Sequence, residues 1–295
     1  MNVVLLSLEA QEWSLPDRLC QLTGIPQEKV TCRTFPDGEV CVRINANLAQ
    51  KIVIIVHSTA DAQNMRLHQL YQMVEVAAAQ GAKRIICIVP YLAYARQDRR
   101  THPGEPLSGL IVLRTLAMLG ADTLVAIDVH NPAMFLHAPL ATDNLRTESI
   151  FAEWLLQKKM LPPLLVSPDD GGRQRIEGLA RCTGYDYLVC AKLKDETGHT
   201  WYEHTPLDVV GRDVFVLDDL CSSGSTFIPF ARYLKESGVR EIYYGVTHFF
   251  ADGHAIQRTL GFPVTIVATD TLFTQWSTLS VAPLLAEWIT KHVAE

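Results

Sequence analysis

Short apolar runs alternate along this chain with longer stretches whose apolar positions recur every three or four residues. The short runs are rich in β-branched residues and are bounded by Gly, Pro, Asp and Asn. They predict strands at residues 3–8, 30–34, 40–44, 52–57, 84–89, 123–128, 164–167, 187–191, 214–218, 242–248 and 264–268. Several runs, such as IVIIV, IICIV and VFVLD, are apolar without alternation. Strands of that kind are buried on both faces, as in a parallel sheet covered by helices.

The longer stretches predict helices at residues 64–80, 108–119, 148–158, 172–181, 226–237 and 281–292. In the first, Leu67, Leu70, Met73, Val74 and Ala77 fall on one stripe. Ser108 is placed to cap the second and Gly120 to end it. The repeating strand–helix order gives an α/β fold: a mainly parallel sheet flanked by helices, with right-handed crossovers. It also suggests two similar halves, 1–145 and 146–295. Each half holds an apolar strand that ends in an acidic residue and runs into a polar loop, VAIDVHN in the first and VFVLDDLCSSG in the second. In open α/β sheets, ligands bind beyond the carboxyl ends of the strands, where these motifs fall.

The second of these loops carries the clearest chemistry. Asp218 and Asp219 precede Cys221, Ser222, Ser223, Gly224, Ser225 and Thr226. Small residues let the backbone wrap a ligand closely, and amides and hydroxyls at a helix start favour a phosphate. Two carboxylates repel that phosphate but suit the vicinal hydroxyls of a sugar, or a magnesium ion. A capped helix after an acidic turn is the plainer reading. Two acids and five small residues favour ligand binding over it. Neither G-x-x-x-x-G-K-[ST] nor G-x-G-x-x-G occurs, so the loop is of neither the Walker nor the dinucleotide type.

Composition narrows the partners. The 295 residues carry 26 Lys and Arg against 32 Asp and Glu, a net charge of −6, with no basic run. Nucleic-acid binding is not supported, and any polyanionic substrate must be met by local positive charge. The seven cysteines are scattered and form no C-x-x-C pair, which points to a reducing compartment rather than a disulfide or zinc framework. The N-terminal segment lacks a basic start and reads as a first strand, not a signal peptide. No apolar stretch approaches the roughly 20 residues of a membrane span. A cytoplasmic protein without membrane partners is expected.

At the Asp218–Thr226 loop the chain resembles the type I phosphoribosyltransferase fold. Seven segments in order narrow the resemblance to the ribose-phosphate pyrophosphokinase family: FPDGEVCVRI, PYLAYARQDRR, AIDVHNPAMF, VSPDDGG, VFVLDDLCSSGST, VTHFFADGHAIQR and LSVAPLLAEWI. That resemblance implies two phosphoribosyltransferase-like domains and transfer of the diphosphoryl group of ATP to ribose 5-phosphate, with Mg2+. It implies that Asp218, Asp219 and Ser222 to Thr226 bind ribose 5-phosphate. Arg96, Gln97 and Asp98 would contact ATP, and His130 and Asp169 would hold the magnesium–ATP phosphates. Phe35, Asp37 and Glu39 would complete the ATP site from a second subunit, so a homo-oligomer, dimer or hexamer, is expected. Lys192 and Lys194 would open a mobile catalytic loop, Lys194 standing where the family usually has Arg. Ser222 and Ser225 likewise replace the usual Asp and Gly. Two other readings fit the same loop: a non-catalytic regulatory relative, and a phosphoribosyltransferase that consumes phosphoribosyl diphosphate.

Overall fold

The computed structural model describes residues 2–9, 13–158, 161–190, 192–194, 200–202 and 209–293. Two compact units emerge: Met1–Arg146 with Thr271–Phe273 and Val281–Glu295, and Thr147–Asp270 with Thr274–Ser280.

The first unit is built on β1 (Val3–Leu8), α1 (Leu15–Thr23), β2 (Gln27–Thr34), β3 (Val40–Arg43), β4 (Ile52–Val56), α2 (Gln63–Ala79), β5 (Arg84–Ile88), α3 (Ser108–Met118), β6 (Thr123–Ile127) and β7 (Ala141–Leu145). Its sheet runs β3-β2-β1-β4-β5-β6-β7. Every pairing is parallel except β2 with β3, which form an antiparallel hairpin. The continuous apolar runs sit where two-sided burial requires them: Val53, Ile54, Ile55 and Val56 have no exposed surface. Each such side chain contributes roughly 1.5–3 kcal/mol relative to exposure.

The second unit holds α4 (Glu148–Gln157), β8 (Leu164–Ser167), α5 (Arg173–Thr183), β9 (Tyr187–Val189), β10 (Lys192–Lys194), β11 (Thr200–Tyr202), β12 (Val214–Cys221), α6 (Phe227–Glu236), β13 (Ile242–Phe249), α7 (Gly253–Leu260), β14 (Thr265–Thr269) and β15 (Ser277–Leu279). Its sheet, β15-β14-β13-β12-β8-β9, is parallel throughout. β10 and β11 pair as a separate antiparallel ribbon. From β8 the chain winds outward to β9, then returns to β12 and winds the other way to β15. The order therefore reverses between β8 and β12, the place in open α/β sheets where ligands bind beyond the strand ends.

Three departures from the sequence reading have physical causes. The last helix, α8 (Ala282–Val293), belongs to the first unit, not the second. It packs against α1, and Trp288 Nε1 donates to Asp143 Oδ2 at 2.8 Å while Arg84 donates to the His292 carbonyl at 3.1 Å. Ser108 does not cap α3: Leu107 holds the cap position, and the Ser108 hydroxyl bonds Gln97 Oε1 at 2.5 Å. Finally, β12 does not stop at Asp218. It stays paired with β13 through Cys221, with Asp218 opposite Val246 and Leu220 opposite His248.

Candidate functional site

The extension of β12 changes what the acidic motif is. Asp218 and Asp219 belong to the strand, and the loop proper is Ser222–Thr226, immediately before α6. The central position of β12 buries Asp219 and half-buries Asp218, whose side chains keep 10% and 21% of their surface. Burial of two neighbouring carboxylates makes double ionisation costly. Asp218 is accordingly pushed up to about 7, by desolvation first and by the adjacent Asp219 second, with Arg175 opposing.

Beneath the pair lies a closed layer. Phe227 stacks on Tyr244 with ring centroids 3.6 Å apart. The Tyr244 hydroxyl contacts Cys221, whose thiol burial pushes up to about 11. Cys221 is a packed thiol, not a nucleophile. All seven cysteines are free thiols.

The loop turns at Gly224, whose φ is +81°. A Cβ there would also lie 3.0 Å from the Ile256 side chain on α7. Position 224 therefore demands glycine for both conformation and space. The Gly224 carbonyl accepts the Ile228 amide at 2.8 Å, which ties the turn to the start of α6. Ser222, Ser223 and Ser225 are exposed. First-turn amides of a helix have no intrahelical partner, so α6 presents donors beside these hydroxyls.

Asp169 stands on the next strand end. It follows β8 and leads a short 3-10 turn, Asp170–Gly172, its Oδ1 accepting the Gly171 amide at 3.0 Å. Gly172 packs so closely that a Cβ would come within 2.3 Å of the Ser167 hydroxyl. The turn and β12 meet through Arg175 on α5. Its guanidinium lies 3.4 Å from Asp219 and 3.8 Å from Asp218. Sequence reading missed this residue. Its position inside a helix, 43 residues before the acids, carries no local signal.

In the first unit, Asp128 ends the corresponding apolar strand in the left-handed region, with φ +41°. It is buried and pairs with Arg146 at 3.3 Å. Next to it, exposed His130 precedes Asn131, whose side-chain amide donates to the Asp98 carboxylate. Gln97 is held by Ser108, and Arg96 is exposed. The structure thus gathers Arg96, Gln97, Asp98 and His130 past β5 and β6. It does not bring Phe35, Asp37 and Glu39 to them. Those three sit in the turn of the β2–β3 hairpin, with β1 and β4 intervening in the sheet. That turn closes with Phe35 N to Glu39 O at 2.7 Å and Glu39 N to Asp37 Oδ1 at 3.1 Å. Arg33 lies over the Phe35 ring at 4.6 Å.

Lys192 and Lys194 occupy β10, paired with Tyr202 and Thr200. Their side chains, and residues 195–199 and 203–208 of the expected catalytic loop, lie outside the described residues. Among the described residues no cluster of three or more His, Cys, Asp or Glu groups forms a metal cage. Asp169 nonetheless offers hard carboxylate oxygen, the donor magnesium takes when it binds through one or two carboxylates, water and substrate phosphates. No helix of the described residues is long and apolar enough to cross a membrane.

The chain is 34% identical to the ribose-phosphate pyrophosphokinase of Methanopyrus kandleri, over 86% of this chain and 87% of that one. It belongs to the ribose-phosphate pyrophosphokinase family. Residues 3–120 match the family described as the N-terminal domain of ribose phosphate pyrophosphokinase. The Aquifex aeolicus relative is 27% identical over 98% of this chain and 96% of its own. The crystal structure of phosphoribosylpyrophosphate synthetase from Mycobacterium smegmatis superposes with a TM-score of 0.86 at 25% identity, covering 98% of both chains. The Mycobacterium smegmatis enzyme thus shares both sheets with this chain, not the Ser222–Thr226 loop alone.

Proposed function

We propose that this chain is a ribose-phosphate diphosphokinase, transferring the diphosphoryl group of ATP to O1 of ribose 5-phosphate to give phosphoribosyl diphosphate and AMP. The observation that carries the reading is the loop at the strand-order reversal of the second unit. There an acid pair lies next to a glycine-turned row of hydroxyls and helix-start amides. Carboxylates of Asp218 and Asp219 accept hydrogen bonds from the vicinal ribose hydroxyls. Ser222, Ser223, Gly224, Ser225 and Thr226 donate to the 5-phosphate at the positive end of α6.

The sugar so held presents O1 for in-line attack on the β-phosphorus of ATP. The bond from that phosphorus to the α,β-bridging oxygen breaks, AMP departs with the oxygen, and the O1 proton is released. No covalent enzyme intermediate is required. Lys192 and Lys194 stabilise the charge that spreads over the transferring phosphates. Arg96 grips ATP phosphate, and Gln97 and Asp98 read the nucleoside. His130 in the first unit and Asp169 in the second are each assigned to the magnesium–ATP phosphates. Magnesium, when bound, neutralises phosphate charge. Phe35, Asp37 and Glu39 sit at a sheet edge away from Arg96–Asp98 in their own chain, which supports their assignment to the ATP site of a neighbouring subunit in a homo-oligomer, dimer or hexamer. The family's metabolic reaction and the seven free thiols support a cytoplasmic setting.

The test is direct. Purified protein with ATP, ribose 5-phosphate and Mg2+ forms AMP and phosphoribosyl diphosphate in equal amounts. Absence of AMP makes the chain a non-catalytic relative. Diphosphate release that depends on an added nucleobase makes it a phosphoribosyltransferase.

A further inference from the structure

Arg175 is a cation in an unusual place. Its side chain keeps 11% of its surface and lies beside two carboxylates, themselves 21% and 10% exposed. Arginine is rarely so buried without a specific partner. Different guanidinium nitrogens face the two acids: one lies 3.8 Å from Asp218 Oδ1 and the other 3.4 Å from Asp219 Oδ1. Both distances exceed the roughly 2.7–3.2 Å of a direct N–H···O bond. The fork thus attracts both carboxylates through charge without a tight bidentate lock on either.

We propose that Arg175 is the positioning residue of the sugar subsite: its fork holds Asp218 and Asp219 side by side and leaves their oxygens to accept the vicinal hydroxyls of ribose 5-phosphate. This rests on the assignment of the acid pair to ribose. Burial and the adjacent guanidinium keep the site from carrying two full negative charges and leave it a partial one. That suffices to orient hydroxyl donors and limits repulsion of the phosphate bound a few residues on. Two neighbouring described groups add no charge. Tyr244, from β13, is held neutral by burial, as is Cys221 at the end of β12.

The position of Arg175 is itself built in. α5 starts directly after Gly172, where a Cβ would meet Ser167 at 2.3 Å. That close approach sets the helix against the end of β8, and Arg175 stands one turn further on, across from the neighbouring strand β12. The same residue therefore links the Asp169 turn to the acid pair where the strand order reverses.

Steady-state kinetics on the full-length chain test the proposal through a split between the two substrates. Arg175→Gln removes the charge, and Arg175→Lys keeps it but cannot span both acids. Arg175→Gln is expected to raise KM for ribose 5-phosphate at least about tenfold and to leave KM for ATP within about twofold, as loss of one charged interaction implies. Arg175→Lys is expected to recover part of the loss, leaving a rise of roughly three- to fivefold. If both KM values rise together, or neither moves, Arg175 is only a structural ion pair and the proposal is overturned. Should Arg175→Gln not fold, Arg175→Lys decides alone, an unchanged KM for the sugar overturning the proposal. Asp219→Ala separates the two levels. If it spares KM for the sugar, the ribose assignment fails and the proposal with it. If it raises that KM while Arg175→Gln does not, only the role of Arg175 fails.

Discussion

The ends of β6 and β12 look alike in sequence and differ in charge balance. In the first unit, one buried carboxylate, Asp128, faces one arginine, Arg146, at 3.3 Å. In the second, two carboxylates share Arg175 at 3.4 and 3.8 Å. The first pair holds a left-handed residue at the strand end. The second end sets two carboxylates against one guanidinium, a donor set that suits the hydroxyls of a ligand, or a cation. The two ends also differ in their place in the sheet. β12 borders the reversal of strand order in its unit, whereas the reversal in the first unit lies between β1 and β4, away from β6. On the proposed reading, the same motif serves as a latch at β6 and as a sugar subsite at β12.

The largest effect that separates them is expected from truncating each acid. Asp219→Ala should raise KM for ribose 5-phosphate on the order of 100-fold with little change for ATP, through loss of a charged hydrogen bond in a buried setting. Asp128→Ala should leave the sugar KM within about threefold and instead lower stability by about 1–3 kcal/mol, read by denaturant titration. Equal kinetic effects at both positions would erase the distinction. Next comes Gly224→Ala. With φ +81° and Ile256 3.0 Å from the new Cβ, the loop must shift, and affinity for ribose 5-phosphate should fall about tenfold. Unchanged affinity would mean that the turn does not shape the phosphate site.

A last effect lies in stability against pH. Asp218 binds its proton more tightly in the folded chain, at about 7 against an ordinary 3.8. Its contribution is fully present below the ordinary value and is lost as pH rises through that window, because the native state then buries a second charge. Asp218→Asn should therefore gain stability over the parent chain as pH rises from 4 to 8, with roughly 4 kcal/mol as the ceiling that a rise from 3.8 to about 7 sets. A difference that is flat with pH would show that the two acids do not share their charge.

The sequence made the parallel core legible because two-sided burial leaves continuous apolar runs, and IVIIV and IICIV need no tertiary information. Two edge strands escaped it. β7 reads ATDNL and β15 reads STL, polar segments paired only because an apolar neighbour offers them a free edge. α8 was visible as a helix, but periodicity does not say which unit its apolar face meets. Within the site, Asp218 to Thr226 stood out through residue type and spacing. The continuation of β12 through the acids did not, since two aspartates inside a strand contradict strand propensity and are tolerated only by the β13 ladder. Arg175 was invisible because its partners are contacts in space.

A crystal structure of the protein with ribose 5-phosphate tests the central claim most directly. The account predicts the 5-phosphate against the backbone amides of Ser223 to Thr226 and the two vicinal hydroxyls on Asp218 and Asp219. A sugar bound at another strand end, with the amides of that loop bonded to their own chain, would contradict it.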